Sequence, residues 1–134
     1  LGGRLKAPAA RTAPATVSDP IFGIARFAVP EGKLEEIKAL ARECHRRVEA
    51  NEPDTWGYEW FVAEDGKELL AIDIYKDPAA MRAHMGNVGP VMAELAKLSQ
   101  PQVELFGGVP QETIAQLNKG LSVRYLAPRF QGLI

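Results

Sequence analysis

The hydrophobic pattern changes period several times along the chain, and each change marks a candidate element. Ile21-Phe-Gly-Ile-Ala-Arg-Phe-Ala-Val29 is apolar on both faces of a period-two reading, with Arg26 its one charge, as in a strand buried on two sides. Pro30-Glu31-Gly32 ends it. Leu34, Ile37, Ala41, Cys44 and Val48 then recur at three and four, while Glu35, Glu36, Arg42, Glu43, Arg46 and Glu49 take the other side. That spacing predicts an amphipathic helix closed by Asn51 and Pro53. Thr55 to Ala63 and Glu68 to Tyr75 are β-rich runs joined by Glu64-Asp65-Gly66-Lys67, whose Asp-Gly signals a hairpin. Pro78 opens a short helix through Met85 and Pro90 another through Leu98, with Gly86-Asn87-Val88-Gly89 as the break between them. A strand over Val103 to Phe106, a helix over Gln111 to Leu117 and an extended piece over Leu121 to Leu126 complete the reading.

The order strand, helix, strand, strand, helix pair, strand folds as a ferredoxin-like α+β sandwich: a four-stranded antiparallel sheet with helices on one face. Closing the hairpin across Asp65-Gly66 sets Tyr58 opposite Asp73, Trp60 opposite Ala71 and Trp56 opposite Tyr75 on one face. Gly57, Glu59, Phe61, Leu70, Ile72 and Ile74 fall on the other. Neither face has the composition of a water face, and helices can cover only one. The remaining face predicts a partner sheet, most simply a two-fold homodimer.

Composition adds bounds. The chain has 134 residues, 46% hydrophobic and 25% charged, with formal net charge −1, which fits one domain. No apolar run approaches a membrane span, and no basic surface suited to nucleic acid is present; the expected partners are a second copy and a small aromatic or hydrophobic molecule. Residues 1 to 18 carry Arg4, Lys6 and Arg11 and no acid, leaving a body with 13 basic and 17 acidic side chains. Ala, Pro and Thr dominate this stretch, so residues 1–20 read as an extended arm, 21–107 as the domain, and 108–134 as a helix-strand extension packed on the same domain or its partner. The lone Cys44 excludes an internal disulfide and a cysteine-rich metal site, with a reducing cytoplasm as the default. Phosphate-loop and nucleophile-elbow patterns are absent, so no cofactor is expected.

Ala25-Arg-Phe-Ala-Val-Pro-Glu-Gly-Lys33, Tyr58-Glu-Trp-Phe61 with Glu64-Asp-Gly66, and Ile74-Tyr-Lys-Asp77 leading to Ala83-His84 together resemble the antibiotic biosynthesis monooxygenase family of dimeric α/β barrels. The likeness spans about residues 21 to 107. It implies two ferredoxin-like chains packing sheet to sheet, with ligands held between each sheet and its helices, and a range of activities from quinone-forming oxygenases to haem degradation and isomerisation. The strand asparagine, helix tryptophan and helix histidine of the haem-degrading branch fall on Ala25, His84 and about Glu94, so haem is disfavoured as substrate.

His84 shares an apolar stripe with Met81, Met85 and Val88, turning its imidazole toward the sheet. The family usually has a histidine here, which implies a general base that takes a phenolic proton; the competing reading is a core histidine satisfied by a carbonyl or by a carboxylate such as Asp73. Tyr58, Trp60, Tyr75 and Asp73 form a candidate wall with hydrogen-bonding tips for a planar ring. Arg26 and Glu59 are expected to pair with each other or across subunits, or Arg26 to hold an anionic or quinonoid oxygen. His45 lies about sixty degrees off its helix's apolar stripe and reads as a boundary residue. The functional expectation is a cofactor-independent monooxygenase acting on a hydroquinone-like or polyketide-like aromatic. A non-enzymatic ligand-binding barrel and an isomerase or lyase are the alternatives.

Overall fold

A computed structural model describes residues 19–134; the arm expected over residues 1–20 lies almost wholly outside the described residues. The chain runs β1 (Ile21–Ala28), α1 (Leu34–Asn51), β2 (Thr55–Val62), β3 (Glu68–Tyr75), α2 (Pro78–Leu98), β4 (Gln102–Gly107), α3 (Gln111–Leu117) and β5 (Ser122–Leu126). The sheet order is β2-β3-β1-β4-β5. The first four strands form the expected ferredoxin-like antiparallel sheet. The fifth is an addition: β5 pairs parallel to β4 from Gln102↔Ser122 to Phe106↔Leu126, making a five-stranded mixed sheet. The extension from residue 108 thus joins the sheet of its own chain, because α3 is the crossover that a parallel strand requires.

Two helical expectations resolve differently. α1 forms where the three-and-four spacing put it and buries Ile37, Ala41, Cys44 and Val48. The two short helices over residues 78–98 are instead one continuous helix, α2, which carries Pro90 inside it. Its start follows local rules, with Pro78 in the first turn and the Asp77 carboxylate accepting from Ala80 N at 2.9 Å. The Gly-Asn-Val-Gly-Pro stretch stays helical because tertiary contacts outweigh its weak propensity. Val88 and Val91 pack with Cys44, Val48 and Tyr58 in the core, and the Asn87 side chain donates to Arg47 O at 2.9 Å, clipping α2 to α1.

The core lies between the helices and one sheet face. Phe27, Leu69, Ile37 and Leu95 fill one end, and Ile21, Tyr75, Met81 and Leu105 the other. The opposite face carries Phe22, Ile24, Leu70, Ile72, Ile74 and Phe106, all half-buried, with Phe61 55% and Leu126 47% exposed. Among the described residues nothing covers this face fully. No helix among the described residues is long and apolar enough to cross a membrane.

Glycines give opposite predictions at two places. Gly107 has φ +98° and an added Cβ would sit 2.5 Å from Pro20 O, whereas Gly89 lies in α2 with open space around it. Gly107→Ala is expected to cost about 2 kcal/mol or more, through strain and backbone clash. Gly89→Ala is expected to gain about 0.5–1 kcal/mol from helix propensity. Urea midpoints of the two variants against the parent check both signs.

Candidate functional site

The hairpin register decides what meets the helices. Tyr58 pairs with Asp73 and Trp60 with Ala71, as the pattern required. Trp56 does not face Tyr75: Thr55 takes that place, a bulge between Thr55 and Gly57 displaces Trp56, and the indole is 51% exposed. The face bearing Tyr58, Trp60, Asp73 and Tyr75 packs under α1 and α2, a choice that periodicity leaves open.

Beneath α2, Tyr58 and Tyr75 pack against His84, which is 6% exposed. The Tyr58 ring stands edge-on to the imidazole with centroids 5.1 Å apart, and the Tyr75 ring lies tilted at 5.2 Å. His84 Nδ1 is 2.9 Å from Glu52 Oε1. The same carboxylate accepts from Thr55 Oγ1 at 2.7 Å and, on Oε2, from Asn87 Nδ2 at 2.6 Å. The acceptor of His84 is therefore Glu52 rather than Asp73. Nothing in the spacing signals it: the two residues are 32 apart, and Glu52 sits between a helix end and Pro53.

Asp73 has a different environment. Its Oδ2 accepts from Tyr75 OH at 2.7 Å, while among the described residues the buried Oδ1 has no partner, and neither does the buried Trp60 Nε1. Burial pushes the Asp73 carboxyl up, against the influence of His84 and the Tyr75 hydroxyl, and pushes the Tyr75 and Tyr58 phenols well up. Burial alone would also raise Glu52, but the hydrogen bonds from Asn87 and Thr55 and the nearby His84 hold it below the ordinary value. Two carboxyls that both feel one imidazole are thus driven apart: Glu52 toward the ionised form and Asp73 toward the neutral one. With Glu52 ionised, a neutral His84 carries its proton on Nδ1 and keeps the Nε2 lone pair available. The Cys44 thiol, fully buried against Met92 Sδ at 3.9 Å, is pushed up to about 11 by burial and behaves as a core side chain.

Arg26 does not join this cluster. It lies on the opposite sheet face, where it donates to Glu104 Oε1 at 3.1 Å, and Arg124 donates to Glu104 Oε2 at 3.1 Å. The expected pairing with Glu59 fails because β3 separates β1 from β2; the β4 neighbour of Arg26 is Gln102, with Glu104 diagonal to it on the same face.

A cavity of about 360 Å³ opens beside the cluster, between α1 and the β2 edge. Tyr58 and Trp60 form its wall, with Ala41 and Leu69 also lining it, and Lys38, Arg42 and His45 line it from α1. His45, a boundary residue by its helical phase, stacks on Tyr58 at 6.1 Å and 19° between planes. His84 itself lies behind Tyr58 and lines none of this space. Among the described residues no group of three or more His, Cys, Asp or Glu side chains is arranged to hold a metal ion.

The antibiotic biosynthesis monooxygenase family model matches residues 20–89. Among solved structures, MupZ from Pseudomonas fluorescens superposes with a TM-score of 0.65 at 20% identity, covering 84% of this chain and 94% of that one. Rv0793 from Mycobacterium tuberculosis does so at 0.60 and 21%, covering 69% and 97%. SnoaB from Streptomyces nogalater, a cofactor-independent oxygenase solved as the N63A mutant, does so at 0.58 and 21%, covering 69% and 95%. At these identities the likeness shows a shared fold. No curated protein matches the sequence.

The two carboxyls give opposite pH signatures. Glu52 has a lowered folded-state pKa, so its contribution is present above the unfolded value of about 4.3 and is lost as pH falls through the folded one. Glu52→Gln should cost about 1–3 kcal/mol at pH 7, with the deficit shrinking below pH ~4. Asp73 has a raised pKa, so ionisation costs stability as pH rises past about 3.9. Asp73→Asn keeps an acceptor for Tyr75 and should be more stable than the parent at pH 7 by about 1 kcal/mol, with no gain at pH ~3. Thermal or urea unfolding across this range checks both slopes.

Proposed function

Because the chain belongs to the antibiotic biosynthesis monooxygenase family, we propose that it is a cofactor-independent monooxygenase acting on a hydroquinone-like or polyketide-like aromatic molecule. The observation that carries this reading is the buried Glu52–His84 pair, 2.9 Å apart and seated between the rings of Tyr58 and Tyr75. Glu52 fixes the tautomer and orientation of the imidazole, the role a carboxylate plays for a catalytic histidine. His84 is the general base, Tyr58 and Trp60 are the wall against which the ring lies, and Tyr75 with Asp73 supports the imidazole from the sheet. The description of SnoaB as a cofactor-independent oxygenase supports the same class of reaction.

In this reading His84 accepts the proton of a phenolic hydroxyl. The resulting anion is electron-rich at the ring carbons ortho and para to the oxygen, and one of these that still carries hydrogen reacts with molecular oxygen. One oxygen atom ends on that carbon, giving a quinone or hydroxyquinone, and the other leaves as water with the two hydrogens the substrate loses, so the substrate supplies the electrons a cofactor would otherwise bring. Tyr58 separates His84 from the cavity, so the ring must swing aside for the proton to pass.

One observation favours a second reading. The imidazole is packed by Tyr58 and Tyr75 and bonded by Glu52, as a purely structural histidine would be. The barrel would then bind an aromatic ligand without transforming it. In either reading we propose a homodimer through the uncovered sheet face, since Phe22, Ile24, Ile72, Ile74 and Phe106 together form an apolar surface too large to leave wet.

Aerobic incubation with a panel of hydroquinones should consume oxygen in proportion to product, and His84→Ala should lower the rate by at least about a hundredfold. Uptake unchanged by that substitution removes His84 from the mechanism, and binding without uptake selects the second reading. Solution mass at micromolar concentration should be that of a dimer, and Ile72→Lys should give a monomer. A parent protein that is itself monomeric overturns the sheet-to-sheet assembly.

A further inference from the structure

The cavity beside Tyr58 has a charge asymmetry that the proposed oxygenase chemistry does not use. Lys38, Ala41, Arg42 and His45 all line it from α1. At a hundred degrees per residue these four positions fall within about a hundred-degree arc of one helix face. Ala41 is small and buried, so the longer side chains around it leave a groove whose floor is aromatic. Glu59 is the single acid among the lining residues.

The other bases of α1 are engaged. Arg46 and Arg47 both bind Glu43, at 2.7 and 3.0 Å, and Lys38 lies 3.7 Å from Glu35. Among the described residues, Arg42 is the arginine of α1 without an ion pair, and it stands at the cavity mouth. Opposite it Tyr58 and Trp60 supply flat apolar surface, and His45 extends that surface by stacking on Tyr58.

We infer that this cavity takes a planar aromatic carboxylate, its ring against Tyr58 and Trp60 and its carboxylate on the Arg42 guanidinium with Lys38 beside it. The guanidinium fork matches a carboxylate bidentately, which a neutral substituent cannot reproduce. A volume of about 360 Å³ suits a ligand of two or three fused rings. The inference rests on the same cavity as the proposed function and narrows its substrate to acids, making Arg42 a specificity residue.

Neither probe of the decisive experiment is oxidisable, so its result is independent of oxygen chemistry. Titration of the full chain with 2-naphthoate and with the neutral isostere 2-naphthamide, followed by calorimetry, should show the acid bound about tenfold more tightly at low salt, with the preference shrinking as salt is added. Arg42→Gln should bring the two affinities within about threefold, while Lys97→Gln, an exposed change on α2, should leave the preference intact. Equal binding of acid and amide, retention of the preference in Arg42→Gln, or no binding of either up to millimolar concentration overturns the inference. Oxygen uptake with a neutral hydroquinone that survives Arg42→Gln would leave the proposed function standing and remove only the requirement for an acid.

Discussion

One carboxylate sits where three elements converge, and its hydrogen bonds set the geometry of the region around it. Glu52 follows the last turn of α1, Thr55 opens β2, and Asn87 and His84 come from the middle of α2; all three donate to Glu52. A carboxylate with a side chain 3% exposed is tolerable only with such a complete set of donors. The requirement reaches outward. It holds the end of α1 against the middle of α2 and fixes the imidazole between two tyrosine rings. It also keeps Asn87 within a helix that its own sequence would interrupt.

The sheet carries the second constraint. Its strands alternate between a face closed by the helices and a face that is apolar but open, so among the described residues the sheet is covered on one side only. Among the described strand residues, charge on the open face comes from Arg26, Glu104 and Arg124, which neutralise one another in part, and from Glu59 on β2 and Glu68 at the start of β3. That arrangement is compatible with burial against a second sheet, since both arginines already share one carboxylate. The added β5 widens this face and brings Leu126 to its margin, so the C-terminal extension belongs to the proposed assembly surface as well as to the sheet.

The cavity and the His84 imidazole are adjacent but not continuous, and Tyr58 is the residue common to both. Its ring contacts His84 on one side and the cavity on the other, with His45 stacked above and Trp60 edge-on beside it. Under the proposed function the separation divides the labour of the site, with shape and charge selection at the α1 edge and proton transfer in the dry interior, where burial separates the behaviour of the two carboxyls.

Local pattern determined a good deal. The three-and-four spacing of Leu34 to Val48 yields α1, and Asp65-Gly66 closes the hairpin with Tyr58 on Asp73 and Trp60 on Ala71. The quoted strand and turn segments carry the family likeness. These features are legible because each depends on neighbours a few residues away. What failed locally were the break at Gly86–Gly89, the placement of Trp56 and the partner of Arg26, because core packing, a bulge and sheet order overrode propensity, register and proximity in sequence. Glu52 was not distinguished at all, and His45 only as a boundary residue. The acceptor of His84 comes from 32 residues away, and the cavity that His45 lines exists only once α1 lies across the β2 edge. Short-range periodicity dictates which residues face a common side. Only the assembled tertiary structure decides what waits there, since burial and hydrogen-bond satisfaction depend on elements that no local pattern can see.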